Sequence, residues 1–240
     1  MHQFETKIAF VALLTLLLGG CGASKEDYAS QDPSNYAVST NTFNVAEAWA
    51  NLVKTGFSKS LEIYGSNNVC SGTAHFLQTS ARLLDINDPF YTYISQFRIN
   101  QNITSCSNGL APFTTNSAQT YYYNNNYLNT YTYINQNFQG YWTNTENNAV
   151  FPTAAKVGDV GPIGFMHYEA SIPLDEVWSY RLEADTATTA LLVVNVKTYD
   201  QNGDDYSYEI YRYLLKPNNT LSLRSYTTWS ASNNLTIIAR

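Results

Sequence analysis

Asp200, Asn202 and Asp204 set three oxygen-bearing side chains at alternating positions, as the start of a calcium-binding loop does. The match ends there. The glycine, Gly203, stands fourth in the loop instead of sixth, and Tyr211 occupies the twelfth position where a bidentate Glu is needed. The stretch reads as a hairpin turn. His75 and His167 have no Cys, His or acidic residue at metal-ligand spacing, apart from Cys70 near His75. They read as sheet or loop residues. Asp175-Glu176 and Glu183/Asp185 pair carboxylates, as glycosidic acid–base chemistry requires, but solvated strand ends account for the same spacing. There is no Gly-x-Ser-x-Gly elbow and no Gly-rich phosphate loop. The sequence therefore indicates no catalytic residue, no cofactor and no metal.

A different chemistry is suggested by residues 113–148, which are dense in Tyr, Asn, Thr and Gln and nearly free of charge. Tyr and Trp rings stack on sugar rings, and Asn and Gln hydrogen-bond sugar hydroxyls. Tyr141 and Trp142 are the ligand-binding candidates on this reading. The competing reading is a pair of strands joined by polar loops, with tyrosine rings packed on a sheet and hydroxyls in water. A third is an aggregation-prone tract of low charge.

Near the N-terminus, Lys7 precedes an apolar run from Ile8 to Leu18, which ends in Leu18-Gly19-Gly20-Cys21. This resembles the lipobox of a bacterial lipoprotein signal peptide, with Gly19 where Ala, Ser or Thr is more usual. The resemblance implies cleavage before Cys21, lipid attachment at Cys21, and a tether over residues 21–41. Gly22 in place of Asp implies sorting to the outer membrane. The run is about half the length that a spanning helix needs. If Cys21 takes the lipid, Cys70 and Cys106 remain as a pair, and an oxidising compartment makes a structural disulfide the expected state. With a net charge of -6 and no basic cluster, the chain is a poor fit to nucleic acid.

The elements that must position these residues are mostly strands. The exception is a helix predicted over Val45–Thr55. Asn44 is its N-cap, Glu47 completes a capping box, and Gly56 suits the position after the last turn. Val45, Ala48, Trp49, Leu52 and Val53 form its apolar stripe, with Trp49 expected in the core. Beyond Gly56 the period becomes two. Strands are expected over Phe57–Tyr64, Val69–Thr79, Tyr91–Ile99 and Ile163–Tyr168. A meander is then expected over Trp178–Ala184, Ala190–Tyr199, Tyr206–Leu215, Leu221–Thr228 and Leu235–Ala239. For the Asn202-Gly203 hairpin, a three-residue loop is preferred. It sets Leu192, Val194 and Val196 against Arg212, Ile210 and Tyr208. A Val194–Tyr211 pair would rule that register out.

The expected fold is mainly β: an antiparallel sandwich or two small packed β units with one N-terminal amphipathic helix. The division is a signal peptide at 1–20, the tether, a helix plus disulfide-bearing β unit at 42–148, and a meander at 149–240. A barrel embedded in a membrane is excluded, because the strands lack a lipid-facing apolar register. Phe151-Pro152-Thr153-Ala154-Ala155-Lys156-Val157-Gly158-Asp159, Glu183 to Ala190 and Lys197 to Asp200 resemble stretches of uncharacterised β-rich proteobacterial lipoproteins. That likeness implies no activity. The function expected is a lipid-anchored, non-enzymatic envelope module at the outer membrane, facing the periplasm or the cell surface. Its partners would be the membrane through the lipid and an envelope protein or polysaccharide. The alternatives are a glycan-binding lipoprotein and a hydrolase.

Overall fold

The computed structural model describes residues 38–240, apart from 66–69, 85–90, 107–110, 136–137, 144–147, 171–172 and 233–234. The lipobox, Cys21 and most of the tether lie outside the described residues.

The helix α1 spans Val45–Thr55, as its local signals predict. The Asn44 side-chain oxygen accepts from the Glu47 backbone N–H at 3.0 Å, and the Asn44 amide donates back to the Glu47 carboxylate at 3.1 Å. Gly56 ends the helix at φ 65°, a left-handed conformation that costs glycine nothing. There the chain passes so close to the neighbouring backbone that a Cβ would lie 2.4 Å from the Gln78 carbonyl oxygen.

Strands follow in the order β1 (Phe57–Gly65), β2 (Cys70–Gln78), β3 (Arg82–Leu83), β4 (Tyr93–Cys106), β5 (Phe113–Tyr123), β6 (Asn129–Asn135) and β7 (Phe138–Trp142). Then come β8 (Val160–Ala170), β9 (Leu174–Ala184), β10 (Ala190–Tyr199), β11 (Asp205–Leu215), β12 (Leu221–Ser230) and β13 (Leu235–Ala239). From β4 to β13 each strand pairs antiparallel with the next. Three further pairings close the sheet: β1 with β2, β2 with β4, and β1 with β13 through Ile63–Ala239, Tyr64–Ile238 and Gly65–Ile237. The two-residue β3 rides on the edge of β4 alone. The result is a closed antiparallel barrel of twelve strands.

This overturns the expected sandwich or pair of packed units. A sandwich needs two sheets with free edges. Here the first and last strands bond to each other, and the strands on both sides of residue 149 share one wall through the β7–β8 pairing. The segment 113–148 supplies three strands, β5 to β7, where two were expected.

Side chains alternate across that wall. Ala74, Phe76, Ile99, Ile103, Leu182, Leu192, Val194 and Ile237 point inward and are buried. Outward stand Thr73 on β2, Arg98, Asn100 and Asn102 on β4, and Thr114 and Asn116 on β5. On the opposite wall the outward Arg181 and Arg212 both reach Glu183. The aliphatic side chains named above face the lumen. A small barrel is filled by its own aliphatic side chains. Twelve strands enclose more, and larger residues project into the space: Tyr121, Tyr123, Tyr168, Tyr211, Tyr213 and Tyr226. Much of the chain's tyrosine content is lumen filling.

The β10–β11 register settles the hairpin. Val194 pairs with Tyr211, Leu192 with Tyr213 and Val193 with Arg212, and a bulge follows Thr198. The preferred three-residue register is therefore wrong. It grouped aliphatic residues together and left Arg212 on their face. In the barrel the aliphatic residues of β10 face the tyrosines of β11, and Arg212 is free to meet Glu183 outside. Asp200 caps this turn. One of its carboxylate oxygens accepts from the backbone N–H of Asn202 at 2.8 Å and of Asp204 at 3.0 Å.

The helix lies across one end of the barrel, held by the loops that emerge there. Ala46 donates to the Pro152 carbonyl and Ala81 to the Val53 carbonyl. The Asn51 amide reaches the Asn219 carbonyl, and the Asn219 amide reaches Glu47. Phe43 and Ala155 exchange two backbone hydrogen bonds just ahead of the helix. At the other end a disulfide joins Cys70 and Cys106, cross-strand partners on β2 and β4. β4 runs on to Cys106, past the Ile99 at which the strand is expected to end from sequence.

Candidate functional site

On β9, Glu176 and Trp178 stand two residues apart and share the lumenal face. The Trp178 indole N–H donates to Glu176 Oε2 at 2.8 Å, and the Tyr168 hydroxyl of β8 donates to the same oxygen at 3.3 Å. Glu176 Oε1 takes no hydrogen bond from the described residues, and the carboxylate lines a cavity. Gly140 on β7 makes room for this arrangement. A Cβ there would lie 2.7 Å from both the Tyr168 ring and the Met166 sulfur.

The same spacing recurs on β11, where Glu209, Tyr211 and Tyr213 share the lumenal face. The Tyr211 hydroxyl donates to one Glu209 oxygen at 2.9 Å. The Tyr226 hydroxyl of β12 donates to the other at 2.5 Å. Glu209 is thus fully engaged, whereas Glu176 keeps one acceptor open.

Loss of water around these carboxyls raises the cost of their charged forms. Burial pushes Glu176 up to about 7, and the charge of Glu209 adds to the rise, while the bonds from Trp178 and Tyr168 oppose it. Burial likewise raises Glu209, against the bonds from Tyr226 and Tyr211. The hydroxyls of Tyr121 and Tyr168 are pushed well above the ordinary tyrosine range, by burial first, and both carboxylates add to each shift. Two acids therefore act on one lumenal space.

Water-sized spheres can be centred in about 50 Å³ of that space. Trp49 of α1 lines it at the capped end, stacked on Phe151 at 4.6 Å and edge-on to Tyr213 at 5.9 Å between ring centroids. Trp142 and Trp178 meet at 5.5 Å in a T-shaped pair. The Trp142 indole donates to Asn129 at 2.5 Å, and Gln78 donates to the Tyr123 hydroxyl at 3.1 Å. Among the described residues no Lys, Arg or His lines the cavity. The site is concave, largely aromatic, and carries a few convergent polar groups, the ordinary anatomy of a small-molecule site.

The residues singled out from sequence are distributed differently. Trp142 is 4% exposed and faces the lumen. Tyr141 is on the outer wall, where its ring meets Tyr131 at 4.9 Å. The barrel wall separates the two. Tyr131 also meets Tyr122 at 5.1 Å and Tyr91 at 5.8 Å, so an outward ridge of tyrosines crosses β5, β6 and β7. Gln139 accepts hydroxyl bonds from Tyr131 and Tyr141 within it. His75 points outward from β2 and bonds Ser58 at 3.0 Å. His167 points outward from β8 and bonds Asp175 at 2.7 Å. The two histidines are four strands apart along the wall, with β4 to β7 between them, and do not converge. Asp175 and Glu176 lie on opposite faces of β9. Glu183 and Asp185 are engaged by Arg181 and Thr189.

Trp49 packs in the interior, as expected, and also lines the cavity. Sequence reading did not find Glu209 as a site residue, and it took Glu176 for a solvated strand-end acid. A usable signal was present: a glutamate two residues ahead of an aromatic on a strand, as in Glu176-Val177-Trp178 and Glu209-Ile210-Tyr211. Period two puts the acid and the ring on one face.

Comparison with protein-family models, with curated proteins and with solved structures gave no significant match. The functional reading therefore rests on the site itself.

Proposed function

We propose that this chain is a lipid-anchored cell-envelope protein whose barrel serves as a non-enzymatic binding module, with the lumenal cavity as its binding site. The observation that carries the reading is the aromatic-lined lumenal cavity and its unoccupied acceptor, Glu176 Oε1. The anchor at Cys21 is supported by the Ile8–Leu18 run and the Leu18-Gly19-Gly20-Cys21 stretch. An envelope location is in keeping with the Cys70–Cys106 disulfide, since such bonds persist in oxidising compartments. Sorting to the outer membrane follows the same resemblance.

A small-molecule screen by thermal shift tests the binding reading. Trp49, Trp142 and Trp178 report occupancy through their fluorescence. Ligands of the lumen raise the melting temperature, perturb tryptophan emission, and lose both effects when Ala149→Phe fills the space. Ligands that raise stability equally in Ala149→Phe would move the site out of the lumen. Intact mass of the protein from a bacterial host, beside Cys21→Ala, tests the anchor. Cleavage before Cys21 with added acyl mass supports it, and an unlipidated chain removes it.

A second reading has its own observation. The outward ridge of Tyr91, Tyr122, Tyr131 and Tyr141, with Gln139 among them, offers rings and amide groups of the kind that hold polysaccharide. Trp142 has no part in it. Binding on a glycan array that disappears in Tyr131→Ala would establish this surface, and an array with no signal would end it.

A further inference from the structure

We infer that the lumen takes an organic ammonium ion: a small apolar amine in its protonated form. The inference rests on the lumen being the binding site and names the class of ligand.

The first argument is charge. Glu176 and Glu209 both line the cavity, and no basic side chain lines it among the described residues. The basic groups nearest these strands are engaged outside: Arg181 and Arg212 with Glu183, and Lys197 with Asp205. The donors that Glu176 and Glu209 have are neutral hydroxyl and indole groups. Two partly buried carboxyls with neutral partners form a place where positive charge is missing.

The second argument is the walls. Trp49, Trp142, Trp178 and Tyr121 line the same space. Aromatic faces attract cations through the ring quadrupole, most strongly for Trp and most strongly where water is excluded. An anionic ligand would meet both carboxylates with no donor of charge. A sugar would find few free hydrogen-bonding groups, because Gln119, Asn129 and Glu209 already accept from Tyr121, Trp142 and two tyrosines.

The third argument is geometry. Glu176 Oε1 lacks a protein donor while Oε2 has two. The carboxylate is thereby held in orientation with one acceptor to offer. An ammonium N–H completes it as a charge-assisted hydrogen bond, which is among the stronger kinds. The groups that face Glu176 across the cavity are Tyr168 from β8, Tyr121 from β5 and Glu209 from β11, and none of them supplies a cation. A divalent metal is a poorer fit. Among the described residues no three His, Cys, Asp or Glu side chains gather in one place.

The test uses the folded, disulfide-bonded protein and two probes of one shape: phenethylamine, which is cationic, and phenethyl alcohol, which is neutral. Affinity is read by calorimetry and by tryptophan fluorescence. The amine is expected to bind about tenfold or more tightly than the alcohol. Glu176→Gln is expected to remove that preference while circular dichroism stays as it was. Amine binding should strengthen as pH rises through about 7, where Glu176 ionises. Equal affinity for the two probes would overturn the ammonium inference and leave the lumen as a site for neutral ligands. A preference that survives both Glu176→Gln and Glu209→Gln would overturn it as well. Trp49→Ala, which thins the cap, guards against blocked entry. If neither probe binds wild type or Trp49→Ala, the lumenal site itself falls along with the inference. Calcium displacing the amine would assign the carboxylates to a metal.

Discussion

Glu176 shows how one side chain can set a protein's response to acid. Its carboxyl rises from the ordinary value of 4.5 to about 7 in the folded protein. Between those values the folded state holds a proton that the unfolded state has released. Stability attributable to Glu176 is therefore greatest below pH 4.5 and declines as pH climbs to about 7. The size of the decline is at most about 3 kcal/mol. Glu209 shifts in the same direction and adds to it. Urea melts of wild type should show this fall between pH 4.5 and about 7, and Glu176→Gln should flatten it. Equal slopes in both proteins would show that the carboxyl titrates as an exposed one does. This residue was only half legible beforehand. Its pairing with Asp175 was visible in the sequence, and adjacency suggested shared chemistry. In a strand, however, neighbours face opposite ways. The same rule parts Tyr141 from Trp142, and there the sequence alone was enough to see it.

Among the elements, the helix was the most legible. Its cap, stripe and stop are all local, and Val45–Thr55 forms as those signals require. What the stripe packs against was not local. The loops after β2, β7 and β11 gather at one barrel end and hold the helix there. Gly56 turns the chain from that cap into the wall. Gly56→Ala is expected to cost about 2 kcal/mol or more, because a Cβ meets fixed backbone at a left-handed φ. A shift in the denaturation midpoint measures this, and an unchanged midpoint would show that the loop at Gln78–Ser80 yields easily. The strands were legible as strands wherever aliphatic residues alternate, as in Ala190–Tyr199 and Leu235–Ala239. Register was less so. The Asn202-Gly203 hairpin was misjudged because its tyrosines count as half-polar in sequence, yet they fill the lumen in the fold.

For the molecule as a whole, closure decides the architecture, and closure is a contact between distant segments. No local signal announces that β1 will meet β13 or that β2 will pass over β3 to reach β4. A meander that ends in free edges and one that ends in a ring have the same turns and the same alternation. The disulfide reinforces the β2–β4 side of the ring. Replacing Cys70 and Cys106 by Ser removes a cross-link over 36 residues, with an expected loss of about 3–4 kcal/mol. The midpoint of urea unfolding should fall accordingly. A double variant as stable as wild type would show that the unfolded chain gains little freedom.

The β1–β13 seam also has a meaning in time. β1 is among the first strands to be synthesised and β13 the last, so Ile63 must wait for Ala239. During that interval β1 and β12 are two open edges, each with a row of unpaired backbone groups facing water or any other strand that passes. A newborn chain of this kind is a ribbon that adheres to its neighbours, and it becomes a vessel only when Leu235–Ala239 arrive.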